Sequence, residues 1–80
     1  MPTDPPPDWV PARRRVIGDR IRAARTSRGL TQEALAEAAG VDRKTISRIE
    51  QAVHSPLLDH LLVIAHALDA PLATLVRDEE

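Results

Sequence analysis

The sequence predicts an all-α protein, a compact bundle of five helices in which the second and third helices form a helix-turn-helix. Its apolar residues recur every three or four positions, and no segment of useful length alternates with a period of two. Residues 32–51 contain two short amphipathic segments, and Gly40 lies between them where a tight turn is needed. Eighty residues suffice for one domain, so the helices are expected to share one modest core.

The composition excludes several classes of protein. The chain has no cysteine, which excludes disulfides and thiolate metal sites and fits a reducing compartment. The longest apolar run, residues 61–65, is far too short to cross a bilayer, and the N-terminus lacks the apolar stretch of a signal peptide. We therefore expect a cytoplasmic protein that makes no contact with a membrane.

Residues 1–11 form the first distinct segment, and they hold five of the seven prolines. Consecutive prolines favour an extended polyproline II conformation without internal hydrogen bonds. We expect a flexible N-terminal arm here. Trp9 is the exception, since a lone tryptophan usually packs, either against a nearby helix or against a dimer partner.

The first helix is predicted to begin at Pro11 or Ala12, because proline suits the first turn of a helix. It should end at Ser27, with Gly29 as the left-handed residue that stops it. An apolar stripe along this helix is formed by Ile17, Ile21 and Ala24.

The second and third helices are predicted from caps, a turn and two apolar faces. Thr31 and Asp42 are suitable N-caps, because their side-chain oxygens can accept from backbone N–H groups two or three residues later. Gly40 tolerates the positive φ that the turn needs, and Ala36 is small enough for a close helix crossing. The apolar faces consist of Leu35, Ala36 and Ala39 in one helix and Ile46 and Ile49 in the other.

The fourth helix is predicted over residues 56–68, with Ser55 as the N-cap and Pro56 in the first position. Its apolar stripe should cover the other helices, while Leu58 and Leu62 lie to one side. The stripe comprises Leu57, Leu61, Ile64, Ala65 and Leu68.

A short fifth helix is predicted over residues 72–76, after Pro71. Leu72, Leu75 and Val76 supply more apolar surface than a small core needs, so they are candidates for a dimer contact. Closure of the bundle is the alternative. The folded domain should then span residues 12–77, followed by an acidic tail at residues 78–80.

Several motifs coincide at spacings typical of one family. They are residues 29–33 (GLTQE), 35–36 (LA), 40–41 (GV), 46–50 (ISRIE), Pro56, Leu68 and residues 71–72 (PL). On these residues the chain resembles the XRE family of phage repressor and Cro-like helix-turn-helix domains, over about residues 17–77. The resemblance implies a lambda-repressor-like fold and a partly buried ion pair between Arg25 and Glu50. Ala52 departs from the pattern, since the family usually has glycine there.

The third helix is expected to contact DNA. Arg43 and Lys44 can donate to guanine O6 and N7 in the major groove. Ser47 and Arg48 complete the predicted base contacts, with a phosphate contact as the alternative for each. The predicted phosphate contacts are Gln32, Thr31, Thr45, Arg22 and His54. Of these, Arg22 and His54 are weaker candidates, as are Arg14 and Arg15. The role of Gln32, at the positive end of the second helix, is one that the resemblance implies.

The distribution of charge favours nucleic acid more than the net charge of −1 does. Residues 13–28 carry seven arginines and one aspartate, whereas residues 52–80 carry five acidic residues and one arginine. Such a chain can present a positive face to double-stranded DNA.

Other chemistry is not indicated. His60 and His66 are six residues apart in one predicted helix, so we expect no metal site. No catalytic triad, paired carboxylates or phosphate loop can be identified. We expect neither an enzyme nor a cofactor.

The predicted function is a sequence-specific transcriptional regulator, a repressor or small controller protein associated with the nucleoid. One domain has a small interface, so we expect a homodimer on a near-palindromic operator. The alternative is an antitoxin or adaptor whose main role is to bind a partner protein, through the Pro-rich arm or the last helix.

Overall fold

The computed structural model describes residues 4–78, and its architecture confirms the predicted all-helical fold. No strand occurs in that range. The helices are α1 (Trp9–Ser27), α2 (Gln32–Ala39), α3 (Arg43–Glu50), α4 (Leu58–Ala67) and α5 (Leu72–Val76). Residues 1–3 of the predicted arm and residues 79–80 of the predicted tail lie outside the described residues.

Helix α1 begins at Trp9, two residues before the predicted start at Pro11. Its first turn includes a hydrogen bond from Val10 N to Pro7 O at 2.9 Å. Pro11 is accommodated because the first turn of a helix has no use for its missing N–H group. Trp9 is 67% exposed, so it does not pack against a neighbouring helix of the same chain.

The helices α1 to α4 end in the same way. A left-handed residue follows the last turn, and the N–H group after it donates to the carbonyl five residues earlier, as in a Schellman motif. These bonds are Leu30 N to Arg25 O, Val41 N to Ala36 O, Val53 N to Arg48 O and Ala70 N to Ala65 O, all 3.0–3.1 Å. The left-handed residues are Gly29, Gly40, Ala52 and Asp69. Glycine therefore supplies only two of the four positions.

Helix α3 lies between other helices of the bundle. It packs against α1 and α2, while α4 packs against α2 and α5, and α5 also contacts α1. This arrangement buries one aliphatic core. The fully buried large side chains are Ile21, Leu35, Ile46, Ile64 and Leu68.

Helix α4 begins two residues later than predicted. Leu57 has extended backbone angles, with φ −73° and ψ 147°, and it rather than Ser55 precedes the first helical residue. Its side chain is 63% exposed, so its predicted place in the apolar stripe is wrong. The later stripe positions Ile64, Ala65 and Leu68 are buried as expected.

In residues 4–78, none of the helices has both the length and the apolar character needed to cross a membrane.

Candidate nucleic-acid interface

The turn between α2 and α3 sets the relative position of these two helices. Thr31 caps α2, because its Oγ1 accepts from Ala34 N at 3.0 Å. At the other end, Gly40 has a φ of +76°, and Val41 N donates to Ala36 O at 3.0 Å. The connection is thereby completed in three residues, and α3 begins at Arg43.

Helix α3 has a sharply divided surface. Ile46 is fully buried, and Ile49 and Glu50 are buried beside it. Arg43, Lys44 and Arg48 are exposed, and the short hydroxyl side chains of Thr45 and Ser47 are half-buried between the two sides. The buried side anchors the helix, so the outer side presents three cations to solvent.

The C-terminal end of α3 is held by a buried ion pair between Arg25 and Glu50, which the family resemblance implied. Arg25 Nε donates to Glu50 Oε2 at 2.7 Å, and Arg25 Nη2 donates to Glu50 Oε1 at 3.0 Å. A third donor, Arg25 Nη1, reaches Leu30 O at 2.8 Å. The hydrogen bonds that Arg25 donates to Glu50 raise the pKa of Arg25, against the opposing effect of burial. The guanidinium therefore remains charged within the fold.

Gln32 joins the same network. Its Nε2 donates to Glu50 Oε1 at 3.1 Å, which ties the first residue of α2 to the last residue of α3. Within the described residues, the second N–H of this amide has no protein acceptor. Gln32 can thus hold the two helices together and still offer a donor at the N-terminus of α2.

Two open hollows bring several predicted contact residues together. One, of about 520 Å³, lies between the N-terminal parts of α2 and α3 and includes Thr31 and Arg43. The other, of about 150 Å³, includes Thr45, Arg48 and His54. Arg22 is exposed on α1, but it lines neither of these hollows.

Some of the arginines of α1 serve the fold. Arg13 Nη2 donates to Arg77 O at 2.6 Å and to Val76 O at 3.3 Å. Arg20 Nη1 donates to Arg77 O at 2.7 Å and to Leu75 O at 3.2 Å. These bonds satisfy carbonyls at the C-terminal end of α5, where cations are also favoured by the helix dipole. The number of arginines in α1 therefore overstates the positive charge that α1 leaves free for other molecules.

The three apolar residues suggested for a dimer contact belong to the packing of the single chain. Leu75 is only 3% exposed, and Leu72 and Val76 are partly buried against the same core. Closure of the bundle accounts for most of their apolar surface. The larger exposed apolar side chains lie elsewhere, including Leu58 and Leu62 of α4.

Gly18 is a positioning residue that the sequence-based reasoning missed. A Cβ atom at this position would lie 2.6 Å from Ile49 O and 2.8 Å from Glu50 O. The absence of a side chain lets α1 approach the C-terminal end of α3 backbone to backbone. The available signal was an isolated glycine inside a helical pattern, which often marks such a close approach.

Comparison with known proteins gives one consistent family. The family model described as helix-turn-helix matches residues 21–75. The immunity repressor protein of Bacillus phage phi105 is 38% identical over 63 residues, covering 79% of this chain and 44% of that protein. The chain spans about half the length of the curated relatives it matches.

Solved structures agree with the sequence comparison. The restriction-modification controller protein C.AhdI from Aeromonas hydrophila is 36% identical with a TM-score of 0.78, over 80% of this chain and 97% of that one. The P22 c2 repressor protein, solved in complex with a synthetic operator, is 31% identical with a TM-score of 0.73, over 80% and 97% of the two chains.

Proposed function

We propose that this chain, which belongs to the helix-turn-helix family, is a sequence-specific double-stranded DNA-binding transcriptional regulator, a repressor or small controller protein. One observation carries the proposal. Helix α3 is anchored by Ile46, Ile49 and Glu50 while it exposes Arg43, Lys44 and Arg48. An exposed helix of this kind can enter the major groove, whose width admits one helix.

The proposed mechanism separates base contacts from phosphate contacts. Arg43 and Lys44, in the first turn of α3, donate to guanine O6 and N7, and Ser47 and Arg48 extend the contact along the groove. Five other side chains bind the phosphates of the DNA backbone and fix the position of α3 along the groove. They are Thr31, Gln32, Thr45, His54 and Arg22.

The names of the relatives favour regulation over adaptor function. They include an immunity repressor, a phage transcriptional repressor and a restriction-modification controller. No observation on the described residues favours the antitoxin or adaptor alternative in the same way. We propose that the chain acts as a homodimer, which doubles the number of base pairs contacted.

Selection of bound sites from random duplex DNA tests the proposal. The wild-type chain should enrich a near-palindromic consensus, and binding should weaken steeply as salt is raised. Failure to bind any duplex at low salt would refute DNA binding.

Substitution of Arg43→Ala tests the assignment of a base contact. Loss of a bidentate contact should cost about 1–3 kcal/mol on the selected site and relax the preference at one position. Competition titrations against specific and random duplexes measure both effects. An equal loss on both duplexes would assign Arg43 to the DNA backbone.

A further inference from the structure

Asp42 occupies the N-cap position of α3, but its carboxylate does not cap the helix. Its backbone has the extended angles of an N-cap, with φ −76° and ψ 150°, yet its side chain accepts no hydrogen bond from the first turn. Thr31 at the equivalent position of α2 does make the capping bond. The expectation that the Asp42 side chain caps α3 is therefore wrong, and the carboxylate has no assigned structural role.

The carboxylate is also free of other partners in the part of the chain that the structure describes. Asp42 is exposed and makes no ion pair or side-chain hydrogen bond among residues 4–78. It lines the larger hollow between α2 and α3 together with Arg43, its neighbour in sequence. A free acceptor thus stands beside a principal candidate for base contact.

We propose that Asp42 is a specificity-determining residue that accepts a hydrogen bond from the N4 amino group of a cytosine, next to the base that Arg43 contacts. This inference rests on the proposed function. An ionised carboxylate only accepts hydrogen bonds, and cytosine presents its N4 amino donor in the major groove. Guanine O6 and N7 and thymine O4 are themselves acceptors. They could form no hydrogen bond with the carboxylate and would repel it.

The negative charge of Asp42 also weakens binding to every DNA sequence, because it repels the phosphates. Glu33 and Glu37 line the same hollow from α2 and add two more carboxylates to it. Removal of the Glu33 or Glu37 charge should strengthen binding to all duplexes alike, whereas removal of the Asp42 charge should also cost the proposed hydrogen bond on the selected site. Only the carboxylate at the start of α3 should also change which base is preferred. Glu37→Gln is therefore the matched control for the general effect of charge.

The test is site selection from random duplexes with wild type, Asp42→Asn and Glu37→Gln. Asparagine is as good an N-cap as aspartate, so the fold should be kept, and a circular-dichroism melt checks this. Asparagine can pair with adenine N6 and N7. With Asp42→Asn, discrimination in favour of cytosine at one position should fall about tenfold, with adenine gaining. With Glu37→Gln, the consensus should stay the same while binding to all duplexes rises together.

A second variant, Asp42→Ser, should flatten the same position, since its short hydroxyl both donates and accepts. An unchanged consensus in both Asp42 variants, with wild type still selecting one, would overturn the role of Asp42 and leave the proposed function standing. Failure of wild type to select any consensus would overturn both.

Discussion

At the scale of single residues, the position of α3 depends on Gly18, which has no Cβ atom. Gly18 lies where α1 meets the last residues of α3, and the nearest obstacles to a Cβ atom are the backbone oxygens of Ile49 and Glu50. Backbone atoms cannot rotate away as a side chain can. Any side chain at residue 18 must therefore push the two helices apart.

Substitution of Gly18→Ala should destabilise the domain by about 2 kcal/mol. Over-packing typically costs about 1–3 kcal/mol. Because the neighbouring atoms are rigid backbone, this cost should exceed the roughly 1 kcal/mol that alanine gains over glycine in helix propensity. Urea denaturation measures the change. Gly29→Ala is the control, because Gly29 has a φ of +71° and no atom near the added Cβ, so only backbone strain is introduced. A more stable Gly18→Ala variant would contradict the close packing.

Glu50 joins three elements through one carboxylate. It accepts from Arg25 of α1 and from Gln32 of α2, and it is itself the last residue of α3. The side chains of Arg25 and Glu50 are 11% and 3% exposed, so neither charge can be satisfied by bulk water if the other is lost.

Substitution of Glu50→Gln should lower stability by about 3 kcal/mol, because it leaves a buried guanidinium without a counter-ion. For a domain of this size the melting temperature should fall by roughly 10 °C or more. Asp78→Asn is the control, since Asp78 lies 3.6 Å from Arg13 but is fully exposed. Equal melting temperatures for the two variants would show that the buried pair contributes nothing special.

At the scale of helices, α1 to α4 all end in the same backbone conformation, although different residues adopt it. Ala52 has a φ of +58°, which settles the shape of the turn where the family usually has glycine. Its N–H donates to Ile49 O at 3.1 Å and the next N–H donates to Arg48 O at 3.0 Å. These hydrogen bonds and the packing of α3 hold alanine in a conformation that its Cβ disfavours.

Substitution of Ala52→Gly should stabilise the chain by about 1 kcal/mol through relief of this strain. Ala23→Gly, at an exposed site within α1, should instead destabilise it by about 1 kcal/mol. Thermal melts of both variants give the comparison. If Ala52→Gly lost stability as Ala23→Gly does, the left-handed conformation would be in doubt.

At the scale of the whole molecule, charge and apolar surface are divided between the fold and its surroundings. Arg13, Arg20 and Arg25 bind groups within the protein, whereas Arg43, Lys44 and Arg48 remain exposed on α3. A net charge of −1 is therefore compatible with a local positive surface. Leu58 and Leu62 stay exposed on α4, but Leu75 is enclosed by the core.

The proposed homodimer makes a geometric prediction about its operator. Two copies of α3 should contact half-sites about one helical turn of DNA apart, roughly 34 Å. Insertion of about five base pairs between the selected half-sites rotates one to the opposite side of the duplex and should sharply weaken binding. Gel-shift titrations with the original and the lengthened site measure the difference. The homodimer would be contradicted if the two duplexes bound with equal affinity and sedimentation showed one protein copy on each.

The sequence by itself determined the helical class, the order of the helices and the outer face of α3. These features depend on local rules, namely the spacing of apolar residues, the Thr31 cap and the turn at Gly40. The Arg25–Glu50 pair came from a family resemblance, because no local rule joins residues 25 positions apart.

Only the tertiary structure decided which arginines bind groups within the protein, that Leu57 is exposed, and that Gly18 allows α1 to contact α3. It also showed the Asp42 carboxylate to be unused by the helix that it precedes. The first three features depend on which distant surfaces meet, whereas the Asp42 side chain is a local feature whose orientation the sequence left open. A pattern along one segment records that a face is apolar or charged, but the neighbour that covers it is set by the packing of the whole chain.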